Sequence, residues 1–594
     1  AGTAIATVVS GNVVMTVSSG GLAQDTTLNG TGAIQDIASG AIASNTNING
    51  GTQNIASGGT SLYDVLNGGA QNISVGATVD FTTINSGGVQ NVNDGVVVTN
   101  TTINDGGVQN INKGGTAITN TINANGIQNI KSGAKADSTT IAGGTQNVLS
   151  GGTSLNDILN SGVQNIASGA TADLTTVNSG GVQNVNNGVI VNSTTINAGG
   201  VQNINAGGTA ITNTINANGV QNVSSGAKTD STTVAGGTQN VLSGGTSLND
   251  ILNDGVQNLA DGAIAEQTTI NAQGRQNVNA GAKAVSNTVN QGGVQNVSSG
   301  GSAETNIIGL GGVQNIADGG YVYGTVVNVG GNQNIASGAL ATHNELNGGV
   351  QNIFAGGTAD YTTVNSGSEQ NINNGVSADH NAVNSGGVQN INNGGTAGTN
   401  TINNGGTQNV NSGSDVYNTT VNAGGTQNIN NGGTATNNTI NSSGLQNIND
   451  GGLGINNNVN NGGTQHIFSG GTGSDNTIAN GGTQIVDSGG ITNHAGVISG
   501  GTVVVGNGGT AKGTNVGSSG TELVASGGET IGTNVSNGGT QISEVGGTTT
   551  ATNISAGGTQ IVGGKDIDTN VLSGGQQIIE SNGQATGTDV IGGT

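Results

Sequence analysis

Carboxylates recur at one position of a repeating pattern in this chain. The Gln of each Gln-Asn pair marks the repeat, and Asp lies nine residues after this marker at Asp80, Asp137, Asp173, Asp230, Asp360 and Asp379. Asp360 and Asp379 belong to consecutive repeats, so we expect them to stack, and two such carboxylates could bind a cation. A solvated surface pair is the more ordinary interpretation, and the Ca²⁺-binding GGxGxD nonapeptide is absent.

Histidines share a second position, ten residues after the marker, at His343, His380 and His494. They lie two and six repeats apart, so they cannot share a metal ion. The same position elsewhere holds a bulky aromatic, at Tyr63, Phe81 and Tyr361. We therefore interpret it as a position that accepts any large side chain.

The sequence lacks the residue combinations that other catalytic and sugar-binding sites require. Polysaccharide lyases and hydrolases need clustered carboxylates, commonly with a basic residue, yet Arg275 is the one arginine and the lysines are scattered. Eight Tyr and Phe in the whole chain are too few for an aromatic sugar-binding groove. No nucleophile triad or phosphate loop has its required residues. We expect no enzyme, no metal site and no cofactor.

Composition excludes several classes of protein. A formal charge of −23 with 8 Lys and Arg argues against nucleic acid as a partner, and no apolar run approaches the ~18 residues of a membrane-spanning helix. Gly is 116 of 594 residues, aromatics are 1%, and Pro and Cys are absent, which does not suit a compact globule. A disordered chain is the alternative, but disorder does not hold aliphatic residues at fixed positions.

Repetition is the dominant feature of the chain. The stretch GGTQNVLSGGTSLNDILN from Gly143 to Asn160 recurs unchanged from Gly236 to Asn253. The marker recurs every 18 or 19 residues from Gln35 to Gln560, which gives roughly 31 repeats and predicts a solenoid. Near identity at 93 residues, five repeats, indicates tandem duplication.

Each repeat predicts short strands joined by glycine turns. In GGVQNINKGGTAITNTINA, which begins at Gly106, alternation puts Gln109 and Ile111 on one face and Val108 on the other. Ile111 is expected inward, and Gln109 either points inward too or lies at a corner. Ala117 and Ile122 are expected inward in the following segments. Glycine pairs break helices, whereas Thr, Val, Ile and Asn-Gly favour strands and tight turns. At ~4.8 Å per coil, ~31 stacked coils would form a rod on the order of 150 Å long.

The residue types within the repeat change near the end of the chain. We divide the chain into an Asn-rich part, residues 1–482, and continuous coils with more aliphatic strands, residues 483–594, where QNI becomes QIV at Gln484. This second part is either a better-packed end or the product of sequence drift. Ala1 suggests a processed or trimmed start, and the lack of a cap after Thr594 predicts that more chain follows in the full-length protein.

The repeats resemble those of a known family. GGTATNNTINSSG at Gly432 to Gly444 and GGTQIVDSGG at Gly481 to Gly490 are similar to the AIDA-type repeats of antigen 43-like self-associating autotransporter adhesins, and the resemblance covers residues 11–594. It implies a right-handed parallel β-helix passenger domain of about 31 coils. It also implies export across the Gram-negative outer membrane by a β-barrel translocator that is missing from this chain.

The resemblance further implies adhesion, autoaggregation and biofilm formation, with other copies and host-cell or abiotic surfaces as partners. Family members carry heptose on Ser and Thr, added by a protein heptosyltransferase. The matching outward candidates are Thr101, Thr102, Thr139, Thr140, Thr194, Thr195, Thr232, Thr233, Ser150 and Ser243. At each site an ordinary β-forming residue is the alternative.

Four other functions are compatible with the sequence. A phage fibre or surface-layer protein would use the same architecture. An ice-binding solenoid would present flat arrays of Thr, and a surface glycan depolymerase would need a catalytic site that the sequence does not reveal.

Overall fold

The computed structural model describes residues 2–594, so Ala1 lies outside it. The fold is an all-β parallel solenoid of about 31 coils with a spacing of ~19 residues, as the sequence predicts. Residues 2–594 contain no helix that is long and apolar enough to cross a bilayer. The chain divides into two compact units, Ala1–Gln295 and Asn296–Thr594.

A coil of the first unit contains three short strands, represented by Val108–Ile111, Thr116–Ile118 and Thr121–Asn123. We call them the Gln strand, the second strand and the third strand. Each pairs in parallel with its counterpart in the next coil, so that Gln109 lies beside Gln128. The Gln strands of this unit are Val14–Val17, Ile34–Ile37, Thr52–Ile55, Ala70–Ile73, Val89–Val92, Val108–Ile111, Ile127–Ile130, Thr145–Val148, Val163–Ile166, Val182–Val185, Val201–Ile204, Val220–Val223, Thr238–Val241, Val256–Leu259 and Arg275–Val278.

Glycine pairs form the corner between the Gln strand and the second strand. Gly114 has a φ of +78°, a conformation that L side chains rarely adopt. At Gly115 a Cβ atom would lie 2.6 Å from the carbonyl oxygen of Val92. The first glycine therefore supplies the turn and the second lets consecutive coils approach each other.

The core of the first unit consists of columns of stacked side chains. Ile111, Ala117 and Ile122 are 0% exposed, which confirms their predicted inward orientation, and Gln109, also 0% exposed, points inward as well. Val108 lies on the outer side of its strand and is half-buried. Stacking supplies the apolar burial that a single coil cannot provide alone.

The second unit repeats this plan, for example in Thr426–Ile429, Thr434–Thr436 and Thr439–Ile440. The coil that begins with Glu369–Asn373 departs from it, because its second segment forms isolated bridges at Ser377 in place of a strand. The Gln strands of this unit are Val313–Ile316, Asn332–Ile335, Val350–Ile353, Glu369–Asn373, Val388–Asn392, Thr407–Val410, Thr426–Ile429, Leu445–Ile448, Thr464–Ile467, Thr483–Val486, Thr502–Val505, Thr521–Val524, Thr540–Ser543, Thr559–Val562 and Gln576–Ile579.

The extra aliphatic residues near the end of the sequence lie on the outer side of the Gln strands. Ile485, Val504 and Leu523 are half-buried, whereas their neighbours Val486 and Val505 are fully buried as in other coils. This column therefore does not support the interpretation of a better-packed core. The division between residues 482 and 483 stays a prediction.

A column of buried glutamine amides runs through each unit. In the first, Gln109 Nε2 donates to Gln90 Oε1 at 2.7 Å, and Gln128 Nε2 donates to Gln109 Oε1 at 2.7 Å. In the second, Gln427 Nε2 donates to Gln408 Oε1 at 2.7 Å. Because a buried amide without partners costs free energy, this column strongly favours equal spacing of the coils.

The column is interrupted in the second unit, where Val503 replaces glutamine. Gln484 Oε1 and Glu522 Oε1 consequently have no hydrogen-bond partner. The chain of donors resumes where Gln541 Nε2 donates to Glu522 Oε2 at 2.8 Å. Burial raises the pKa of Glu522, which favours its neutral form.

Restoring this column should stabilise the second unit. In the double variant Val503→Gln/Glu522→Gln, each restored amide hydrogen bond should contribute about 1 kcal/mol, and the thermal unfolding midpoint should rise. Circular dichroism at 218 nm, a standard wavelength for β-structure, would follow the transition. Val505→Gln is the matched control, because it places an amide in the aliphatic column and should lower the midpoint. An unchanged or lower midpoint in the double variant would contradict the importance of the interruption.

Candidate functional site

The recurring outer carboxylates bind the backbone and side chains of the next coil. Asp80 Oδ1 accepts a hydrogen bond from Thr99 Oγ1 at 2.6 Å, and Asp173 Oδ1 accepts one from Asn192 N at 2.9 Å. Asp137 accepts one from Asn156 Nδ2 at 2.9 Å. This bond is the main reason that the pKa of Asp137 is lowered. These carboxylates act as ties between coils.

Asp360 and Asp379 lie in adjacent coils, and each carboxylate accepts a hydrogen bond from a backbone N–H of the following coil. Asp360 Oδ1 accepts a hydrogen bond from Asp379 N at 2.9 Å, and Asp379 Oδ1 accepts one from Gly398 N at 2.7 Å. Among residues 2–594 no group of three or more His, Asp or Glu is placed to hold a metal ion. The pair therefore has the geometry of a structural tie.

The shared histidine position is a corner with positive φ, for example 57° at His343 and 55° at Tyr361. Four rings lie on consecutive coils in an aromatic column of Tyr323, His343, Tyr361 and His380, in which the last three stack and Tyr323 is tilted against His343. Their successive centroid distances are 5.1, 4.9 and 4.9 Å. Tyr63 and Phe81 form a shorter stack in the first unit, with centroids 5.0 Å apart. His494 lies beside a carboxylate instead, with its Nδ1 3.6 Å from Asp475 Oδ1.

Three carboxylates that sequence reasoning missed lie inside the first unit at Asp64, Asp157 and Asp250. Asp157 Oδ1 accepts a hydrogen bond from Thr139 N at 3.0 Å, and its Oδ2 accepts bonds from Ser154 and from Gln164 Nε2, the latter at 2.9 Å. All three occur in the SLxD segment of the best-preserved repeat. The available signal was their position, eleven residues after the marker, where most other coils hold Thr or Asn.

Burial raises the pKa of each of these three carboxyls to about 6, opposed by hydrogen bonds from the neighbouring Ser and from a backbone N–H. Removing a carboxylate from water disfavours its charged form. No basic side chain is among the groups that act on them. Each carboxyl therefore remains a titratable group in the interior at mildly acidic pH.

The candidate glycosylation residues divide into buried and accessible groups. The first member of each threonine pair is only 0–1% exposed, so the expectation that it points outward is wrong for Thr101, Thr139, Thr194 and Thr232. Alternation along the third strand causes this, because the inward Ile103 requires Thr102 to point out and Thr101 to point in. The half-exposed members are Thr102, Thr140, Thr195 and Thr233, and Ser150 and Ser243 are exposed.

Asparagine amides form columns on the outer side of the Gln strands. In the first unit Asn129 Nδ2 donates to Asn110 Oδ1 at 3.0 Å, and in the second Asn447 Nδ2 donates to Asn428 Oδ1 at 2.8 Å. A further column follows the third strands, where Asn123 Nδ2 donates to Asn104 Oδ1 at 2.7 Å. The half-buried outer surface thus repeats one amide arrangement from coil to coil.

The chain is similar to proteins of known structure. No family profile and no curated protein matches the chain. A crystal structure of a TibA fragment hyper-glycosylated by TibC is 31% identical, covering 56% of this chain and 96% of the fragment, with a TM-score of 0.36. The chain is similar to that fragment. The PL6-family alginate lyase AlyGC is 10% identical, covering 99% of this chain and 96% of its own, with a TM-score of 0.18. Both TM-scores are below 0.5, a level at which a superposition does not indicate a shared activity.

The buried carboxyls should make stability depend on pH. Their folded pKa of about 6 exceeds the unfolded value of 3.8, so the native state holds these protons more tightly. Their contribution is complete below about pH 3.8 and is lost as the pH rises through about 6, at a cost on the order of 3 kcal/mol each. The thermal midpoint of the wild type should therefore fall between about pH 4 and pH 7.

A variant that copies another coil tests this assignment. Combining S61A/D64N, S154A/D157N and S247A/D250N reproduces the Ala117 and Asn120 arrangement, in which Asn120 Nδ2 donates to Gln109 Oε1 at 2.8 Å. It should flatten the pH profile and raise the midpoint at neutral pH. Asp173→Asn is the control, because it removes an outer carboxylate and keeps the three buried ones, and its midpoint should still fall between about pH 4 and pH 7. A six-substitution variant that kept the wild-type profile would refute the role of these carboxyls.

Proposed function

We propose that this chain is the passenger solenoid of a self-associating adhesin displayed on the surface of a Gram-negative bacterium. Other copies of the chain and host-cell or abiotic surfaces would be its partners. The observation that carries the proposal is the outer amide arrangement repeated from coil to coil, represented by Asn110 and Asn129. The resemblance of the repeats to AIDA-type adhesins supports it.

Repeated amides suit weak contacts made many times. Each Asn in a column uses one N–H as donor and its oxygen as acceptor, which leaves a second N–H and a second lone pair for an outside partner. One such hydrogen bond contributes little in water, but many in register add through avidity. Adhesion of this kind would depend on the number of coils rather than on one pocket.

Glycosylation belongs to the same proposal. Ser150 and Ser243 are exposed at turns, and Thr102 and Thr140 are half-exposed on third strands, so their hydroxyls could carry a sugar without disturbing the core. A protein heptosyltransferase would be the modifying partner. The TibA fragment that TibC hyper-glycosylates shares sequence with this chain, and this similarity prompts the assignment.

Cell clumping should depend on solenoid length. Deleting residues 147–239 joins Gln146 to Asn240 and removes five coils, and the junction lies within the repeated segment, so its local sequence is preserved. Cells that display the shortened protein should settle more slowly, because fewer amide contacts form between opposed surfaces. Optical density of standing cultures measures this, with surface amounts matched by antibody.

A lengthened protein provides the matching control. Inserting a second copy of residues 147–239 after Gln239 would add five coils and should accelerate settling. Unfolding transitions of all three purified proteins verify that each solenoid is folded. Equal settling of short, native and long forms would contradict adhesion through repeated contacts.

Modification should be confined to accessible hydroxyls. When the chain is produced with a protein heptosyltransferase, peptide mass spectrometry should find heptose on Ser150, Ser243 and Thr102, but not on Thr101. A sugar on Thr101 would occupy core space and prevent closure of its coil. The unmodified chain produced without the enzyme is the control. Heptose on the buried threonines of the folded protein would contradict the assignment.

A further inference from the structure

Seven of the twelve Tyr, Phe and His of this chain lie between residues 321 and 417, within the second unit. The chain has 5 Tyr, 3 Phe and 4 His. The six in this stretch that lie along the second strands and the corners that follow them are Tyr321, Tyr323, His343, Tyr361, His380 and Tyr417. We call this surface the aromatic face. A count over the whole chain hides this concentration.

The aromatic face combines a stacked column with neighbouring apolar side chains. Tyr321 and Tyr323 point outward from one strand, and Leu340 lies beside Tyr321 in the next coil. Tyr321 is 36% exposed, Tyr323 41%, Leu340 38% and Tyr361 50%. Because the rings of the column stack on one another, they present their edges and polar atoms to solvent.

Hydrogen-bonding groups border these rings. Asp379 accepts a hydrogen bond from the Tyr417 hydroxyl at 3.3 Å, and Thr342 Oγ1 lies 2.8 Å from His343 Nδ1. Asp360 uses Oδ1 to accept the Asp379 N–H, while no hydrogen bond within residues 2–594 reaches its Oδ2. The face therefore offers apolar carbon beside carboxylate and phenol oxygens.

Charge restricts the ligands that this surface suits. No Lys or Arg occurs between Lys283 and Lys512, whereas Glu345, Asp360 and Asp379 fall within this interval. A carboxylated or sulfated ligand would be repelled and would find no basic partner. An uncharged ligand with many hydroxyl groups avoids this cost and can donate hydrogen bonds to the carboxylates.

We propose that the aromatic face binds a neutral glycan chain. The C–H surface of a pyranose ring would pack on the exposed carbon of Tyr321, Leu340 and Tyr361, while its hydroxyls would donate to Asp360 Oδ2. The surface lies across several coils, which suits an extended chain of sugars more than a single residue. This binding goes beyond the proposed self-association and does not depend on it.

The shorter Tyr63 and Phe81 stack in the first unit provides an internal comparison. It has the same corner position and a similar ring distance of 5.0 Å. It lacks a second tyrosine on the adjoining strand, where Ser61 and Leu62 lie beside Val79 and Asp80 of the next coil. Stacking at a corner is thus common to both surfaces, whereas the extended aromatic face occurs in the second unit.

Intrinsic fluorescence of the full chain can test this proposal. The chain has no Trp, and Tyr321, Tyr323, Tyr361 and Tyr417 are four of its five tyrosines, so tyrosine emission reports mainly on this face. Titration with cellohexaose, chitohexaose, mannohexaose and laminarihexaose should give a saturable change with at least one of them. Hexagalacturonate, an acidic hexasaccharide, should give none. No response to any neutral sugar at millimolar concentration would overturn the proposal.

Substitution by residues that occupy the same positions in other coils should alter sugar binding without disrupting the fold. Tyr321→Ser copies Ser302 and Tyr361→Thr copies Thr399, which occupy the same positions. The double variant should bind the responsive sugar at least about tenfold more weakly by calorimetry, as expected when central aromatic contacts are removed. Tyr63→Asn/Phe81→Asn is the matched control and should retain wild-type affinity.

The outcomes also separate this proposal from self-association. Equal affinity of the Tyr321→Ser/Tyr361→Thr variant and the wild type would overturn glycan binding at the aromatic face, whatever the settling assay shows. Sugar binding lost in this variant but retained in Tyr63→Asn/Phe81→Asn would support it, even if cells that display the protein did not clump.

Discussion

The buried glutamine column is the constraint on which this solenoid depends. Each amide sits in an interior without bulk water, and its partners are the glutamines one coil before and one coil after, as with Gln90, Gln109 and Gln128. A shift of register by one residue would leave a whole run of amides unpaired and turn the aliphatic columns outward. The glutamines therefore specify alignment, while Ile111 and Ile122 supply apolar burial.

Around that constraint the other positions vary according to what they contact. The interior position eleven residues after the marker holds Thr101, Asn120 or Asp157, each of which hydrogen-bonds within the core. The hydroxyls of Thr82 and Thr139 at the same position have no hydrogen-bond partner within residues 2–594, so this position also tolerates a small hydroxyl without one. Where Asp occurs, a serine three residues earlier provides the extra donor, as Ser154 does for Asp157. The duplicated blocks have copied this pair together, which explains its recurrence at 93-residue intervals.

The sequence predicts the architecture well because the pattern repeats so often. Gln109, Ile111, Ala117 and Ile122 all point inward as alternation requires. The same alternation, applied from Ile103, places Thr101 inside and Thr102 outside. The expectation that both threonines point outward was therefore inconsistent with the alternation of the strand. The aromatic face could not be predicted from composition, because an average over the chain contains no information about which coils carry the rings. Hydrophobicity alone could not show that Ile485 lies on the outer side of its strand, in the position that holds Asn in other coils.

The amide columns have a common direction, and this gives each unit an electrical polarity. The glutamine and asparagine N–H groups point toward the preceding coil, as in Gln128 to Gln109 and Asn129 to Asn110. Their dipoles add head to tail, as peptide dipoles do in a helix. Gln35 Nε2, which has no partner at the start of its column, marks the positive pole. Neighbouring solenoids would thus attract each other through these fields when they lie antiparallel and repel when they lie parallel, a bias that fixed charges of one sign cannot provide.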